Sequence, residues 1–336
     1  MSTPRQNNPL AGIGLAVAAF GLFATHDAIV KFLGAGYSTF QIVFFSVLFG
    51  FVPVALMMTA DRAVDNFRPA NPFWVFLRTG ISVVTMSAAF YAFTVLPLAE
   101  TYAILFATPL LITALSVPML GETVRARRWI AVLVGLAGVV IVLRPGYSEF
   151  SLGHLAALVA AIGSAVASVI VRKVGATERS AVLILFPMFA NIICMGAILP
   201  FVYEPMPLGD LGLMAAIGGL AFIAQVSIIA AYKAASAALV APMQYSQMLW
   251  ATAYGALFFA EQPDRWVGVG AAIIILSGLY IVWRESRDNV STQRPVLRMS
   301  NLRYDTGPSP KPKQGQQGAD GQDLGATAPD AEPKSK

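Results

Sequence analysis

Asp27 and Lys31 stand four residues apart inside an apolar run, which puts a carboxylate and an ammonium on one helical face with Phe20 and Phe23. Ionisable side chains at the centre of a membrane cost about 2.5 to 3.5 kcal/mol each to insert, so they pair or face a wet cavity. The two residues read either as an ion pair that neutralises its own burial, or as a substrate contact or proton-coupled switch. His26 beside them titrates near neutral pH when unperturbed, and it reads as a coupling residue or as a hydrogen-bonded packing residue. Glu100, just after Pro97, reads as a proton acceptor, a partner for a cationic group, or an interfacial residue in contact with water. His26, Asp27 and Glu100 are thus the coupling candidates. Arg78 either snorkels to the headgroups or attracts an anionic or carbonyl-rich solute. Gln244, Gln247, Trp250 and Tyr254 follow one another at helical spacing, and with Tyr91, Tyr102 and Gln225 they offer aromatic planes and neutral hydrogen-bonding groups. That set suits a flat, polar heterocycle that is stacked rather than gripped by charge, although any single member could equally be a packing residue.

This chemistry is that of binding and translocation. The lone Cys194 permits no intramolecular disulfide and no cysteine metal cluster, and no cofactor or metal is expected. A glycine loop followed by Lys and Ser/Thr, as ATP drive would need, is missing from the sequence. An intramembrane transferase would need paired carboxylates or a histidine with a second catalytic group, whereas His26 and His154 are the only histidines and lie far apart. The chain is therefore not expected to be an enzyme. Its net charge of +5 is accounted for by short basic loops and implies no nucleic-acid partner.

The residues just named must be positioned by membrane helices. Hydrophobic residues make up 57% of the chain and charged residues 12%, too few polar groups to cover a water-soluble domain of this length. Ten apolar runs of spanning length are centred near Ala18, Phe49, Val84, Leu110, Leu136, Ala161, Ile193, Gly218, Trp250 and Ile275. None alternates as a barrel strand would. With the N-terminus inside, the inner connections collect Arg62, Arg68, Arg125, Arg127, Arg128, Arg172, Lys173, Arg179, Lys233 and Arg284, against little beyond Arg144 and Arg265 outside. Both termini are accordingly expected in the cytoplasm. Residues 1–9 form a short cytoplasmic N-terminus, and the Pro-, Gly- and Gln-rich segment 285–336 reads as a disordered cytoplasmic tail.

Between them lies a duplication. The spacing from Ala99 to Glu122 recurs from Ala238 to Glu261, and the spacing from Gly138 to Arg144 recurs from Gly278 to Arg284. Residues 10–146 and 150–284 are read as the two copies. Five spans per copy is an odd number, so the second copy enters the bilayer from the opposite side, and the expected fold is all-α, ten transmembrane helices in two inverted-topology repeats. Matched Glu122 and Glu261 are expected to cap helices or pair with Arg125 and Arg265, outside the binding site.

The stretches Phe90-Tyr91-Ala92-Phe93, Leu96-Pro97-Leu98-Ala99, Pro109-Leu110, Gly121-Glu122, Arg128-Trp129 and Gly135-Leu136-Ala137-Gly138, with Ala241-Pro242 and Gly278-Leu279-Tyr280 in the second copy, resemble the EamA-type domain of the drug/metabolite transporter superfamily. The resemblance implies a multi-pass protein of the bacterial inner membrane with a small-molecule substrate; the sequence shows no separate association module and leaves monomer or homodimer open. Asp27, Lys31, Arg78 and Trp283-Arg284-Glu285 resemble the branch of riboflavin and S-adenosylmethionine importers. That implies riboflavin uptake as the first reading, with S-adenosylmethionine uptake, or export of amino acids, metabolites or drugs, as alternatives.

Overall fold

The computed structural model describes residues 9–59, 68–122, 124, 126–144, 150–175, 177–262 and 264–287. Residues 1–8, Arg62, Arg125, Pro145, Gly146 and residues 288–336 lie outside the described residues, and with them the short N-terminus, part of the loop charge and the tail.

Every described element is helical: α1 (Pro9–Leu33), α2 (Thr39–Thr59), α3 (Pro72–Val95), α4 (Leu98–Leu105), α5 (Thr108–Leu120), α6 (Ala126–Leu143), α7 (Leu152–Val174), α8 (Ser180–Val202), α9 (Leu208–Ala234), α10 (Ala237–Val240), a 3-10 segment (Ala241–Tyr245), α11 (Ser246–Phe259) and α12 (Arg265–Arg287). An apolar backbone in lipid must satisfy its own N–H and C=O groups, which is why these runs are helices. Among the described residues nine helices are long and apolar enough to span a bilayer, counting α4 and α5 as one. The tenth span comprises α10, the 3-10 segment and α11.

Two spans are therefore interrupted, and at matched places. The α4–α5 break falls at Phe106, before Pro109, whose missing N–H cannot continue the ladder. The second break ends at Tyr245, after Pro242. Phe106 and Tyr245 are separated by the same offset as Glu122 and Glu261, and their rings meet edge to face at 5.2 Å. Interrupted helices at the interface of two repeats are the usual surroundings of a transporter's binding site.

The packing repeats with the sequence. Helix α1 packs against α9 and, correspondingly, α7 packs against α3, while α6 packs against its own counterpart α12 and α2 against α8. The α6–α12 crossing is close enough that a Cβ on Gly138 would lie 2.9 Å from the Gly270 carbonyl oxygen. The connections after α1, α3, α6, α8 and α11 share one face of the bundle, tied there by Lys31 to the Leu96 carbonyl (2.6 Å), Gln41 to the Glu204 carbonyl (2.8 Å) and Arg144 to Asp264. The opposite face carries the connections after α5 and α7, where Asn71 meets Thr177 (2.8 Å). The two halves thus run in opposite senses through the bundle.

Local geometry aims the matched glutamates. Gly121 ends α5 at φ 70° and Ala260 ends α11 at φ 53°, both left-handed, and the next residue's N–H returns to the Ser116 carbonyl (3.4 Å) and to the Gly255 carbonyl (2.9 Å) respectively. Glu122 and Glu261 are each turned back over the helix end. A left-handed non-glycine residue costs about 1–2 kcal/mol. Ala260→Gly is therefore expected to raise stability by about 1 kcal/mol and Gly121→Ala to lower it similarly, which thermal unfolding in detergent checks.

Candidate functional site

The ionisable residues of α1 are sorted into two separate clusters. Asp27 is fully buried. Its carboxylate accepts a hydrogen bond from the Tyr102 hydroxyl of α4 and another from His26 Nδ1 at 2.7 Å. The His26 ring packs edge-on to Phe90 at 5.7 Å. Asp27, Tyr102 and His26 are thus brought together. Lys31 is elsewhere engaged: its ammonium pairs with Glu261 at 2.9 Å and donates to the Leu96 carbonyl. The ion pair that Lys31 makes is with the second repeat, which corrects the expectation of an Asp27–Lys31 pair. It also corrects the expected partner of Glu261, which binds Lys31 and accepts from the Leu98 N–H (2.9 Å). Its counterpart Glu122 binds Arg172 at 2.5 Å.

Glu100 accepts from His154 Nε2 at 2.9 Å. His154 Nδ1 takes the Ser151 N–H at 3.0 Å in a capping box at the start of α7, which leaves Nε2–H as the donor toward Glu100. Glu100 is therefore a partner of an imidazole that bridges the two repeats. Arg78 does not snorkel: it is 1% exposed and donates to the Leu183 carbonyl of α8 at 2.5 Å. Its long side chain reaches α8 because α3 and α8 pack together there.

The neutral set divides. Gln225 lines a cavity with His26 of α1, Ser46, Val47, Gly50 and Val54 of α2, Met86 of α3, Met188 of α8, and Gly218 and Phe222 of α9. The cavity lies between the first repeat's α1–α3 and the second repeat's α8–α9. Ser46 Oγ and Gln225 Nε2, on residues 3% and 8% exposed, have no hydrogen-bond partner among the described residues. Buried polar groups left unpaired cost about 1–3 kcal/mol each, so this wall is built for a guest, water or solute. Trp250 and Tyr254 are not on it. Trp250 is exposed and lies against Gly21 of α1, where a Cβ would be 3.3 Å from its ring, and Tyr254 stacks beside it at 6.3 Å and meets the Thr25 hydroxyl at 3.0 Å. Gln244 and Gln247 are buried on the 3-10 segment and α11. Gln247 Nε2 has no hydrogen-bond partner among the described residues. The Tyr91 side chain makes no hydrogen bond or ring contact among them.

Ser46, Met86, Met188 and Phe222 carried no signal in the sequence, since a serine or a methionine in an apolar run is ordinary packing until its neighbours are known. Among the described residues no group of three or more His, Cys, Asp or Glu could hold a metal.

Two inverted helical repeats around a cavity between them define a membrane transporter fold. The model of the EamA-like transporter family matches residues 10–144 and 151–283, and the chain belongs to that family. It is 27% identical over 281 residues to the S-adenosylmethionine uptake transporter of Rickettsia felis, covering 83% of this chain and 94% of that protein. It is 28% identical over 269 residues to the pseudopaline exporter CntI of Pseudomonas aeruginosa (80% and 94%). With the riboflavin transporter of Vibrio cholerae it shares 26% over 289 residues (84% and 96%). A solved crystal structure matches with a TM-score of 0.54 at 22% identity, covering 84% of this chain and 99% of that one, a likeness of fold.

Proposed function

We propose that this multi-pass protein takes up a small metabolite bearing a flat, polar heterocycle across the bacterial inner membrane by alternating access, with both termini cytoplasmic. The observation that carries the proposal is the cavity between the repeats, where Ser46 and Gln225 present polar groups with no partner among the described residues on a lining shared with the thioethers of Met86 and Met188 and the ring of Phe222. Neutral hydrogen-bonding groups on an apolar wall bind the edges of a heterocycle while the apolar side chains cover its faces.

Riboflavin is the first substrate reading and is supported by the name of the Vibrio cholerae relative. S-adenosylmethionine is the second. The specific feature that favours it is the buried Asp27 carboxyl group bonded to His26 of the cavity wall, the acidic group nearest the cavity lining and one suited to a cationic solute. The Rickettsia relative's name agrees with it.

The test is uptake of each radiolabelled compound into proteoliposomes, with Gln225→Leu and Ser46→Ala alongside. Saturable uptake of one compound, reduced about tenfold by Gln225→Leu through loss of one buried hydrogen bond, is the expected result. Uptake of neither above empty vesicles would overturn both substrate readings. Efflux from preloaded vesicles reads the direction, and a faster outward flux would favour the exporter named for the Pseudomonas relative.

A further inference from the structure

Each face of the bundle carries the same pair of contacts between the repeats. On one face Lys31, two residues before the end of α1, pairs with Glu261 at 2.9 Å. Tyr37, in the connection that follows, donates to Asp210 at the start of α9 at 2.5 Å. This hydrogen bond pushes the Tyr37 phenol up to about 12, so it stays a donor at any physiological pH. On the other face Arg172, two residues before the end of α7, pairs with Glu122 at 2.5 Å. Glu178, in the connection that follows, accepts from the backbone N–H of Asn71 at the start of α3 and from its side-chain amide at 3.2 Å.

α7 is the repeat counterpart of α1, α3 of α9, and Glu122 of Glu261. Lys31 and Arg172 hold the same place in their helices, as do Tyr37 and Glu178 in their connections. All four contacts cross from one repeat to the other. The Glu100–His154 pair, also between the repeats, has no such twin: the residue at Glu100's place in the second repeat is Leu239.

We infer that these contacts are reciprocal latches. Opening of a face breaks its own pair of bonds while the opposite pair holds, so that the cavity never communicates with both sides. The inference rests on the alternating-access reading and names the residues that enforce it. The burial fits such a role: the Lys31 and Glu261 side chains are 13% and 16% exposed, and Glu122 is 35% exposed opposite a buried Arg172. Partial access to water at Lys31, Glu261 and Glu122 lowers the cost of parting each pair below that of a fully dry one.

The test uses the full chain in nanodiscs, where both faces meet the reagent, with Cys194→Ser as background. Two reporters are introduced singly: Thr101→Cys, one turn inward from Leu98, and Ser168→Cys, one turn inward from Arg172. Both native residues are buried in the latched molecule. Labelling by a charged maleimide is then followed without any substrate. Glu261→Gln is expected to speed labelling at Thr101→Cys about tenfold, as loss of one charge-assisted contact would, without speeding it at Ser168→Cys. Glu122→Gln is expected to do the reverse, and the charge exchange Glu122→Arg with Arg172→Glu to return Ser168→Cys to its slow rate. Acceleration at both reporters by one substitution, or at neither, would overturn the latches. Because the readout needs no solute, failure of the substrate reading in the uptake assay leaves this result separately interpretable.

Discussion

Asp27→Asn is expected to lower uptake by about two orders of magnitude while leaving the chain folded and in the membrane. The carboxylate is fully buried and accepts from two donors, the Tyr102 hydroxyl and His26 Nδ1. An amide of the same shape has one oxygen, so one of the two donors must face an N–H group. A hydrogen bond to a charged group is worth about 1.5–3 kcal/mol, and each 1.36 kcal/mol is tenfold in rate, which sets the expected size. His26 lines the cavity, so the imidazole's aim is what the substitution changes. Tyr102→Phe removes only one donor and is expected to cost about tenfold. The double variant should lose less than the two single losses combined, because both act on one network. Initial rates in proteoliposomes at matched protein content check this. Wild-type uptake by Asp27→Asn would reduce the cluster to packing.

Gly218→Ala is expected to be damaging, and Gly50→Ala, at the same crossing, to be mild. A Cβ on Gly218 would lie 2.5 Å from the Gly50 nitrogen and 2.6 Å from the Ser46 carbonyl oxygen. Both are backbone atoms of α2 and cannot swing aside, so α2 and α9 must separate, at about 1–3 kcal/mol for overpacking. A Cβ on Gly50 would meet its nearest atom, the Gly218 Cα, at an ordinary 3.5 Å. The same separation would widen the cavity beside Ser46. The thermal midpoint in detergent and the uptake rate should therefore fall together for Gly218→Ala and stay near wild type for Gly50→Ala.

Much of the architecture was legible because it depends on local quantities. Run length and hydropathy identify a membrane span without knowledge of its neighbours, and the interval from Ala99 to Glu122 repeating from Ala238 to Glu261 identifies a duplication by counting. Odd parity then dictates inversion. Pro109 and Pro242 stand at the interruptions, but Pro53, Pro118, Pro187 and Pro200 lie inside helices that continue, so proline by itself did not mark the breaks.

The partners of the charged groups were another matter. Asp27 and Lys31 share a helical face, and sequence proximity made them look like a pair. In the bundle α1 is packed so that Asp27 meets Tyr102 of α4 while Lys31, a turn further on, passes the end of α11 and takes Glu261. A one-turn rise is enough to put two neighbours in different clusters. The sequence repeat did not show it either: the offsets of its matched positions set Lys31 opposite Ile170 or Val171, and only the helix ends at Leu33 and Val174 put Lys31 and Arg172 at equivalent places.

By itself, then, the sequence determined that this protein dissolves in lipid, that its apolar runs of spanning length form two opposed copies, and that ionisable residues lie within them. Those properties are sums over short segments or differences between residue numbers. Tertiary structure alone decided that Ser46 and Gln225 share a cavity wall, that Trp250 lies against Gly21 rather than in that cavity, and that each face is bridged by a cation of one repeat and a glutamate of the other. A side chain's direction depends on the rotation and crossing of whole helices, and close approaches such as that of Gly218 to Gly50 set these through contacts between residues far apart in the chain.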